Sequence, residues 1–425
     1  MSKKNLKIIS SYVLVWIISS YIYLNYIVET FSYEGYEAKW SIESILIAFL
    51  GFILIVIFSI RLNESNFSYI FFNLMILVSI IPLSVLCGFA GKSIIYYIEV
   101  VFVICFSILI ASKNKLIYKF QKYFVSEQKL LYLFLGCSLI LLFIIYYYNG
   151  FNSFNLNLYE VYNFRDDAAE DLPNTLAYFT SSISKIMLPV SCILLLKYKN
   201  YSGLFFAILI CIALFGFTSH KSILFAPFLL LSIYYLIGLK DKLLKIIYAY
   251  FFLLVVSIIA FYFSQNLEID LSLMLASIAF RRALIVPAEL NYTYYELFSD
   301  IDFIYWANSK LSLGLLDFTH EKGISEIVGD FRFPGTGTHA NTGWLGSGYA
   351  HAGFFGIFVY AIIISCFLIY ADYAVLNAED ENLAASILIM PSIVLMTSSD
   401  LPTSFMTHGL IFSLLIISIL KKKYL

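Results

Sequence analysis

Twelve long apolar runs, most of them separated by short polar joints, dominate this sequence. Because a helix needs about 20 apolar residues to cross the hydrocarbon core of a bilayer, each run predicts a membrane-spanning helix. Only 13% of the residues are charged and 61% are hydrophobic, whereas roughly a quarter of a soluble domain is charged. The predicted fold is an all-α polytopic membrane protein with about twelve transmembrane helices. The runs cover residues 8–28, 42–60, 67–88, 93–111, 130–149, 175–196, 203–219, 222–239, 243–263, 347–370, 383–399 and 405–420.

The sequence contains no internal repeat, low-complexity tract or separate soluble domain, so residues 1–425 are predicted to form a single integral membrane domain. The first run follows three lysines and lacks a small-residue cleavage site, which favours a retained span over a signal peptide. The six cysteines all lie in apolar runs without paired spacing, which is typical of small buried side chains and not of disulfides or metal sites.

The distribution of lysine and arginine predicts the orientation of the spans. Most of these basic residues lie at the two termini and in the joints that follow even-numbered runs, which the positive-inside rule assigns to the cytoplasm. Both termini are then cytoplasmic. The two long joints, residues 150–174 and 264–346, are then extracytoplasmic loops, and the functional surface is predicted on that side.

The second of these loops departs most from the apolar pattern and is predicted to contain short helices. Residues 270–286 place apolar side chains at helical spacing, and Pro287 is expected to end that helix or to begin another over 287–299. Residues 306–330 predict an amphipathic or re-entrant segment. The glycine-rich run 335–348 predicts tight backbone close to a ligand, not a long regular helix.

Basic residues in and near these loops suggest a phosphorylated ligand. Arg281 and Arg282 are adjacent and would point about 100° apart on a helix, so that one could reach a ligand while the other pairs with a carboxylate. Guanidinium groups bind phosphate oxygens with two parallel hydrogen bonds. Lys185 lies near the middle of a span, where a lysine costs at least about 2.5 kcal/mol and marks a functional residue, or a charge pair with Glu99.

Two histidines lie at the glycine-rich run: His339 is within it, and His351 follows it. Imidazole is the usual general base near neutral pH, and the Gly-Thr-Gly-Thr sequence before His339 suits an exposed catalytic loop. His351 lies near the predicted membrane boundary, where a structural role is favoured.

Two segments resemble the Wzy-type oligosaccharide repeat-unit polymerases, which are bacterial O-antigen and capsule polymerases. The segments are RRALIVPAELNYTYYELF (281–298) and THANTGWLGSGYAHAGFFGIFVY (338–360), and they cover under a fifth of the chain. The block from Asn341 to Gly356 is the more specific of the two. The remainder is similar to the family only in its spans and its two large outer loops.

The resemblance implies a GT-C-like architecture and an inverting glycosyltransferase in the bacterial cytoplasmic (inner) membrane. Such an enzyme polymerises oligosaccharide repeat units carried on undecaprenyl diphosphate, at the outer face of the membrane. The growing glycan on its lipid diphosphate is the donor, and a sugar hydroxyl of a single lipid-linked repeat unit is the acceptor. Nucleotide sugars, metals and other cofactors are not expected.

The resemblance and the residue chemistry together predict the site. Arg281 and Arg282 stabilise the leaving diphosphate, and His339 is the general base, with Asp330 as its substitute. The predicted substrate-binding residues, which include secondary cations and aromatic side chains for the sugars, are Arg165, Lys185, Arg332, Asn341, Tyr295, Tyr349 and His351.

Other functions leave different signatures. An O-antigen ligase of the same fold passes the glycan to another lipid and is poorly separated by sequence. A lipid-linked oligosaccharide flippase or other transporter is expected to show matching halves and more charged residues within spans than Glu99 and Lys185. A membrane O-acyltransferase would need a catalytic histidine inside a span. The predicted partners are the lipid-linked glycans, the bilayer, a chain-length regulator and a flippase, with no nucleic acid.

Overall fold

A computed structural model describes residues 2–113, 125–150, 154–157, 174–267, 273, 276–309, 312, 315–318 and 320–420. Within these residues the chain is helical and contains no β-strand, only two isolated bridges. Some of the helices contain an internal π-helical turn. In chain order they are α1 (Lys3–Thr30), α2 (Ile42–Ser59), α3 (Phe67–Phe89), α4 (Ile94–Lys113), α5 (Glu127–Asn149), α6 (174–197), α7 (Tyr201–Thr218), α8 (Lys221–Gly238), α9 (Lys242–Leu267), α10 (Val286–Asp300), α11 (Ile324–Arg332), α12 (Trp344–Asn377), α13 (Glu381–Thr397), α14 (Leu401–Met406) and α15 (Leu410–Ile419).

The prediction of an all-helical polytopic membrane protein is confirmed. Ten helical segments among the described residues are long and apolar enough to span a bilayer. The remaining two predicted spans, 222–239 and 383–399, also form apolar helices, whose apolar stretches, Ile223–Gly238 and Glu381–Thr397, are shorter than the other ten. The twelfth predicted span is interrupted, because α14 and α15 are separated at Gly409, which has a φ of +88°.

The chain divides into two compact units, each built from three separate stretches. The first unit contains Met1–Leu116, Asp241–Asp372 and Ile393–Pro402, and the second contains Ile117–Lys240, Tyr373–Ser392 and Thr403–Leu425. Three of the boundaries, at residues 372/373, 392/393 and 402/403, fall inside helices α12, α13 and α14, so no linker in the sequence marks them.

In the first unit, α3 is the central helix. It is hydrophobic all round, and 94% of its most apolar window is buried, as expected for a helix surrounded by others. Its few polar groups are hydrogen-bonded: Trp16 Nε1 donates to Ser84 Oγ at 2.9 Å, and the Tyr12 hydroxyl donates to Asn73 Oδ1 at 2.8 Å. Burial of α3 therefore leaves these polar groups satisfied.

Among the described residues, the ion pairs between different joints of the first unit connect joints that the lysine distribution assigns to the same side. Lys4 pairs with Glu64 and Asp241, all in regions predicted to be cytoplasmic. Lys92, from the third joint, pairs with Glu289 of the long joint 264–346, which is named the outer loop after its predicted side. This grouping agrees with the predicted order of spans, and which of the two faces is cytoplasmic stays a prediction.

The long outer loop contains the short helices that were predicted. A π-helical stretch, Ser277–Ile285, runs directly into α10, so Pro287 does not end the first helix, and the alternative that it begins a second one over 287–299 is confirmed. Proline fits there because it lies in the first turn of α10, at a change of helix type. Among the described residues of 306–330, the α-helix is α11, which begins at Ile324.

The glycine-rich return has the irregular backbone that was predicted as far as Gly343, and α12 then begins at Trp344. Helix α12 breaks after two turns. Ala352 is extended and Gly353 is left-handed with a φ of +58°. Phe303 of the outer loop packs at this break, 2.9 Å from where a Cβ at Gly353 would lie. The break thus allows the loop to approach the helix.

Candidate functional site

A cluster of cations and carboxylates forms where the outer loop meets two short joints of the first unit. Its first pair is Arg281 and Glu34. Arg281 Nη1 donates to the Glu34 carboxylate, and Arg281 Nε donates to Ser277 Oγ at 3.0 Å. The guanidinium also lies over the Phe31 ring, 4.3 Å from its centroid. Ser277 and Arg281 meet because they are four residues apart in the helical stretch Ser277–Ile285.

Arg332, the last residue of α11, converges on the same joint. Its Nη2 donates to the Glu34 carbonyl oxygen at 2.5 Å and lies 3.4 Å from Glu289 Oε1. Gly35 permits this approach, because its φ is +84° and a Cβ there would lie 2.9 Å from the guanidinium. Both arginines therefore contact Glu34 although they are 51 positions apart in the sequence.

Lys92 completes the cluster from a third direction. Its ammonium lies 2.9 Å from Glu289 and 3.0 Å from Glu296, both on α10. Burial lowers the pKa of Lys92, but the two carboxylates outweigh it, so the pKa is raised overall and the lysine stays protonated. The cluster balances three cations against three carboxylates: Arg281, Arg332 and Lys92 against Glu34, Glu289 and Glu296.

One donor of this cluster is unused. Arg332 Nε is buried and has no hydrogen-bond partner among the described residues. A buried donor without a partner costs about 1–3 kcal/mol, which a ligand oxygen would recover. Arg282, by contrast, is exposed, so the prediction that the two adjacent arginines point in different directions is confirmed.

His339, the predicted base, lies against the start of α11. Its Nδ1 is 3.4 Å from Ser325 Oγ and 3.8 Å from Glu326 Oε1, and the side chain is 56% exposed. Ser325 lies seven residues before Arg332 on the same helix, which is a rise of about 10 Å. Helix α11 therefore carries the arginine at its C-terminus and supports the histidine near its N-terminus.

Asp330, the predicted substitute base, is held in an ion pair. Its carboxylate accepts a hydrogen bond from Lys322, and this bond raises the lysine pKa. The pair is exposed to solvent, since the side chains of Lys322 and Asp330 are 59% and 40% exposed. Asn341 is exposed near the start of α12, where a ligand could reach it.

His351 does not have the geometry of a substrate-binding residue, which corrects its prediction. Its side chain is 1% exposed, and both ring nitrogens are engaged. Nδ1 accepts the backbone N–H of Trp306 at 3.2 Å, which leaves the proton on Nε2 to donate to Asp400 Oδ2 at 3.2 Å. The indole of Trp306 stacks on the ring at 5.1 Å. The structural role favoured for His351 is therefore supported.

Asp400 is the centre of this second network. Besides His351, it accepts hydrogen bonds from the Tyr360 hydroxyl and the Leu401 N–H, both at 2.8 Å, and Tyr360 in turn accepts from Trp306 Nε1 at 2.8 Å. Tyr305 and Trp306 adopt left-handed backbone angles to reach these partners. The network fixes the outer loop to α12 and to the joint before α14.

We expect this network to make stability depend on pH. Burial alone raises the pKa of Asp400, but its hydrogen bonds, led by His351, lower it overall. A carboxylate with a lowered folded-state pKa stabilises the protein above its unfolded pKa of about 3.9 and loses that contribution as the pH falls through the folded value. Melting temperatures of the wild type and Asp400→Asn between pH 3 and pH 7 should therefore converge at the acid end. Parallel curves would contradict this role of Asp400.

The two predicted sugar-binding tyrosines meet. The rings of Tyr295 on α10 and Tyr349 on α12 lie 4.8 Å apart, and the Tyr349 hydroxyl is 3.1 Å from Ser299 Oγ. Tyr292 and Tyr294, on the same helix α10, are buried and donate to the backbone carbonyls of Leu83 and Ala340.

Of the two remaining predicted cations, the structure describes Lys185. Lys185 belongs to the second unit, on the π-helical turn Ile183–Met187 of α6, where its Nζ is 2.9 Å from His408 Nδ1. Ser181 Oγ lies 3.0 Å from the same nitrogen. Arg165 and most of the loop 150–174 lie outside the described residues.

Sequence reasoning missed five charged members of the two networks: Glu34, Lys92, Glu289, Glu296 and Asp400. Each is an acidic or basic residue in or beside a joint assigned to the outer side. Lysine is otherwise scarce on that side, so Lys92 was the detectable signal. The carboxylates carry no such signal, because acidic residues weigh little in the positive-inside rule.

Comparison of the chain with protein-family models, with curated proteins and with solved structures found no match.

Proposed function

We propose that this protein is a membrane-embedded glycosyltransferase that polymerises undecaprenyl-diphosphate-linked oligosaccharide repeat units at the outer face of the bacterial cytoplasmic membrane. The observation that carries the proposal is the convergence of Arg281 and Arg332 on Glu34. Paired guanidinium groups suit a diphosphate, and Arg281 lies in a segment that resembles the polymerase family.

The ion pairs suggest how the donor binds. Its diphosphate, which carries more negative charge than one carboxylate, would displace Glu34 from Arg281 and take the unused Nε donor of Arg332. Exposed Arg282 would contact the diphosphate from the solvent side. The retained pairs between Lys92 and α10 would hold the surrounding helices in place.

The chemical step needs a base near the acceptor hydroxyl. His339 Nε2 takes the proton of that hydroxyl while its Nδ1 faces Ser325 and Glu326. The acceptor oxygen forms a bond to the anomeric carbon of the donor with inversion. The bond from that carbon to the diphosphate oxygen breaks, and undecaprenyl diphosphate leaves with both bonding electrons, its charge stabilised by the arginines.

Two single substitutions test the proposal in cells. Arg282→Ala and His339→Ala are each expected to lower polymerisation by a hundredfold or more, because one removes charge stabilisation of the leaving group and the other removes the base. Single repeat units on the lipid should then accumulate, as read from gels of the lipid-linked glycan. Arg61→Ala, at an exposed arginine in a joint assigned to the cytoplasm, is the matched control and should give normal ladders.

The pattern of glycans separates the competing functions. Normal ladders from both variants at wild-type membrane levels would contradict the assigned site. Normal ladders after deletion of the whole gene would contradict polymerase function. Long chains that accumulate on undecaprenyl diphosphate after deletion would indicate a ligase instead.

A further inference from the structure

Two buried polar atoms on one face of α4 have no hydrogen-bond partner among the described residues. They are the Tyr96 hydroxyl and Glu99 Oε2. Tyr96 is fully buried, and the two residues are three positions apart, so their side chains lie on the same face of the helix. Most buried polar atoms in folded proteins are paired, so two neighbouring exceptions require an explanation.

This face of α4 lies against the tyrosine pair described above. The Tyr96 ring is 4.9 Å from that of Tyr295 and 5.8 Å from that of Tyr349. The Glu99 carboxylate is close enough to Tyr96 and Tyr349 to interact electrostatically with both. Ser299, which contacts the Tyr349 hydroxyl, is exposed, and Tyr295 and Glu99 are partly buried.

The group also adjoins the cation cluster. Lys92, which binds Glu289 and Glu296, precedes Tyr96 by four residues, and Glu296 follows Tyr295 directly. If the phosphates of a ligand bind the cation cluster, the groups bonded to those phosphates would therefore lie near Tyr96, Tyr295 and Tyr349.

We propose that Tyr96, Glu99 and the Tyr295–Tyr349 pair form a subsite for a sugar hydroxyl of the lipid-linked glycan. A hydroxyl can accept a hydrogen bond from Tyr96 and donate one to the Glu99 carboxylate, and so satisfy both unpaired atoms. The tyrosine rings present apolar surface for the C–H groups of a sugar. The assignment of the ligand as a glycan rests on the proposed function, whereas the two unpaired atoms do not.

The first test separates a ligand-binding hydroxyl from a structural one. Tyr96→Phe removes only an unpaired hydroxyl, so the melting temperature of the purified protein in lipid nanodiscs should stay equal or rise. The neighbouring Tyr97→Phe is the matched control, because the Tyr97 hydroxyl donates to the Ala48 carbonyl at 2.9 Å and its loss should lower the melting temperature. A fall for Tyr96→Phe as large as that for Tyr97→Phe would indicate a buried water or a structural bond, and would overturn the subsite.

The second test measures binding directly. Saturation-transfer NMR with free galactose, N-acetylglucosamine and glucuronate should give a signal for at least one sugar on the wild type in nanodiscs. The signal should fall at least fivefold in Tyr96→Phe and in Glu99→Gln and stay unchanged in Tyr97→Phe. No signal from any of the three, or equal signals in all variants, would overturn the inference.

The two proposals fail in distinguishable ways. Sugar binding that depends on Tyr96 and Glu99, together with normal ladders after gene deletion, would leave the subsite and remove the polymerase. Lost ladders after gene deletion, together with sugar binding that does not depend on Tyr96 or Glu99, would support the polymerase and remove the subsite.

Discussion

Glu289→Gln is expected to lower the free energy of unfolding by about 3 kcal/mol, the largest loss from any single charge in the candidate site. Its carboxylate is 7% exposed and neutralises Lys92 at 2.9 Å and Arg332 at 3.4 Å. Removing one partner of a buried ion pair leaves an uncompensated buried charge, which typically costs about 3–5 kcal/mol. Lys92 keeps Glu296, so the lower end of that range applies.

Glu296→Gln is the control for this prediction. Its carboxylate contacts the same lysine but is 42% exposed, and exposed pairs contribute about 0–1 kcal/mol. Unfolding of both variants in mixed micelles gives the comparison. Equal losses would mean that burial of Glu289 does not decide its contribution, and would remove the cluster as a stabilising centre.

Gly343→Ala is expected to destabilise the protein by a similar amount, about 3 kcal/mol, through backbone crowding. A Cβ at this position would lie 2.2 Å from the Met396 carbonyl oxygen, and that oxygen belongs to the backbone of α13 and cannot rotate away. The glycine in the sequence Asn-Thr-Gly-Trp therefore allows the start of α12 to pack directly on another helix.

Gly136→Ala in α5 is expected to raise the free energy of unfolding. No atom of the described residues lies within 4 Å of a Cβ at this position, and alanine stabilises a helix by about 1 kcal/mol relative to glycine. Melting temperatures of the two purified variants in the same detergent decide the matter. If Gly343→Ala melts like the wild type, the close approach to Met396 is not rigid.

The helices could be predicted well from the sequence, because the length of an apolar run depends only on residues that are adjacent in the chain. It also separated Arg281 from Arg282, since adjacent residues on a helix must face different directions. It did not predict the partner of Arg281, because Glu34 lies 247 positions away in a joint with no distinctive pattern.

His351 shows a second limit of sequence reasoning. Its sequence context, between glycines at a membrane boundary, favours a structural role but is also compatible with ligand binding. The structural role follows from the two contacts of its ring nitrogens. Asp400 lies at Nε2, and the backbone N–H of Trp306, a residue with left-handed backbone angles, donates to Nδ1. Neither contact leaves a trace in the residues adjacent to His351.

The division of the first unit into three stretches has a consequence for biosynthesis. Residues 393–402, including Asp400, are among its last parts to leave the ribosome, 49 positions after His351. Until then His351 and Tyr360, the two side chains that hold Trp306, lack their common acceptor, so the outer loop cannot dock in its final position. The protein must therefore remain partly assembled in the membrane until residues 393–402 have been inserted, and a chain terminated before them would display unpaired polar groups to quality control.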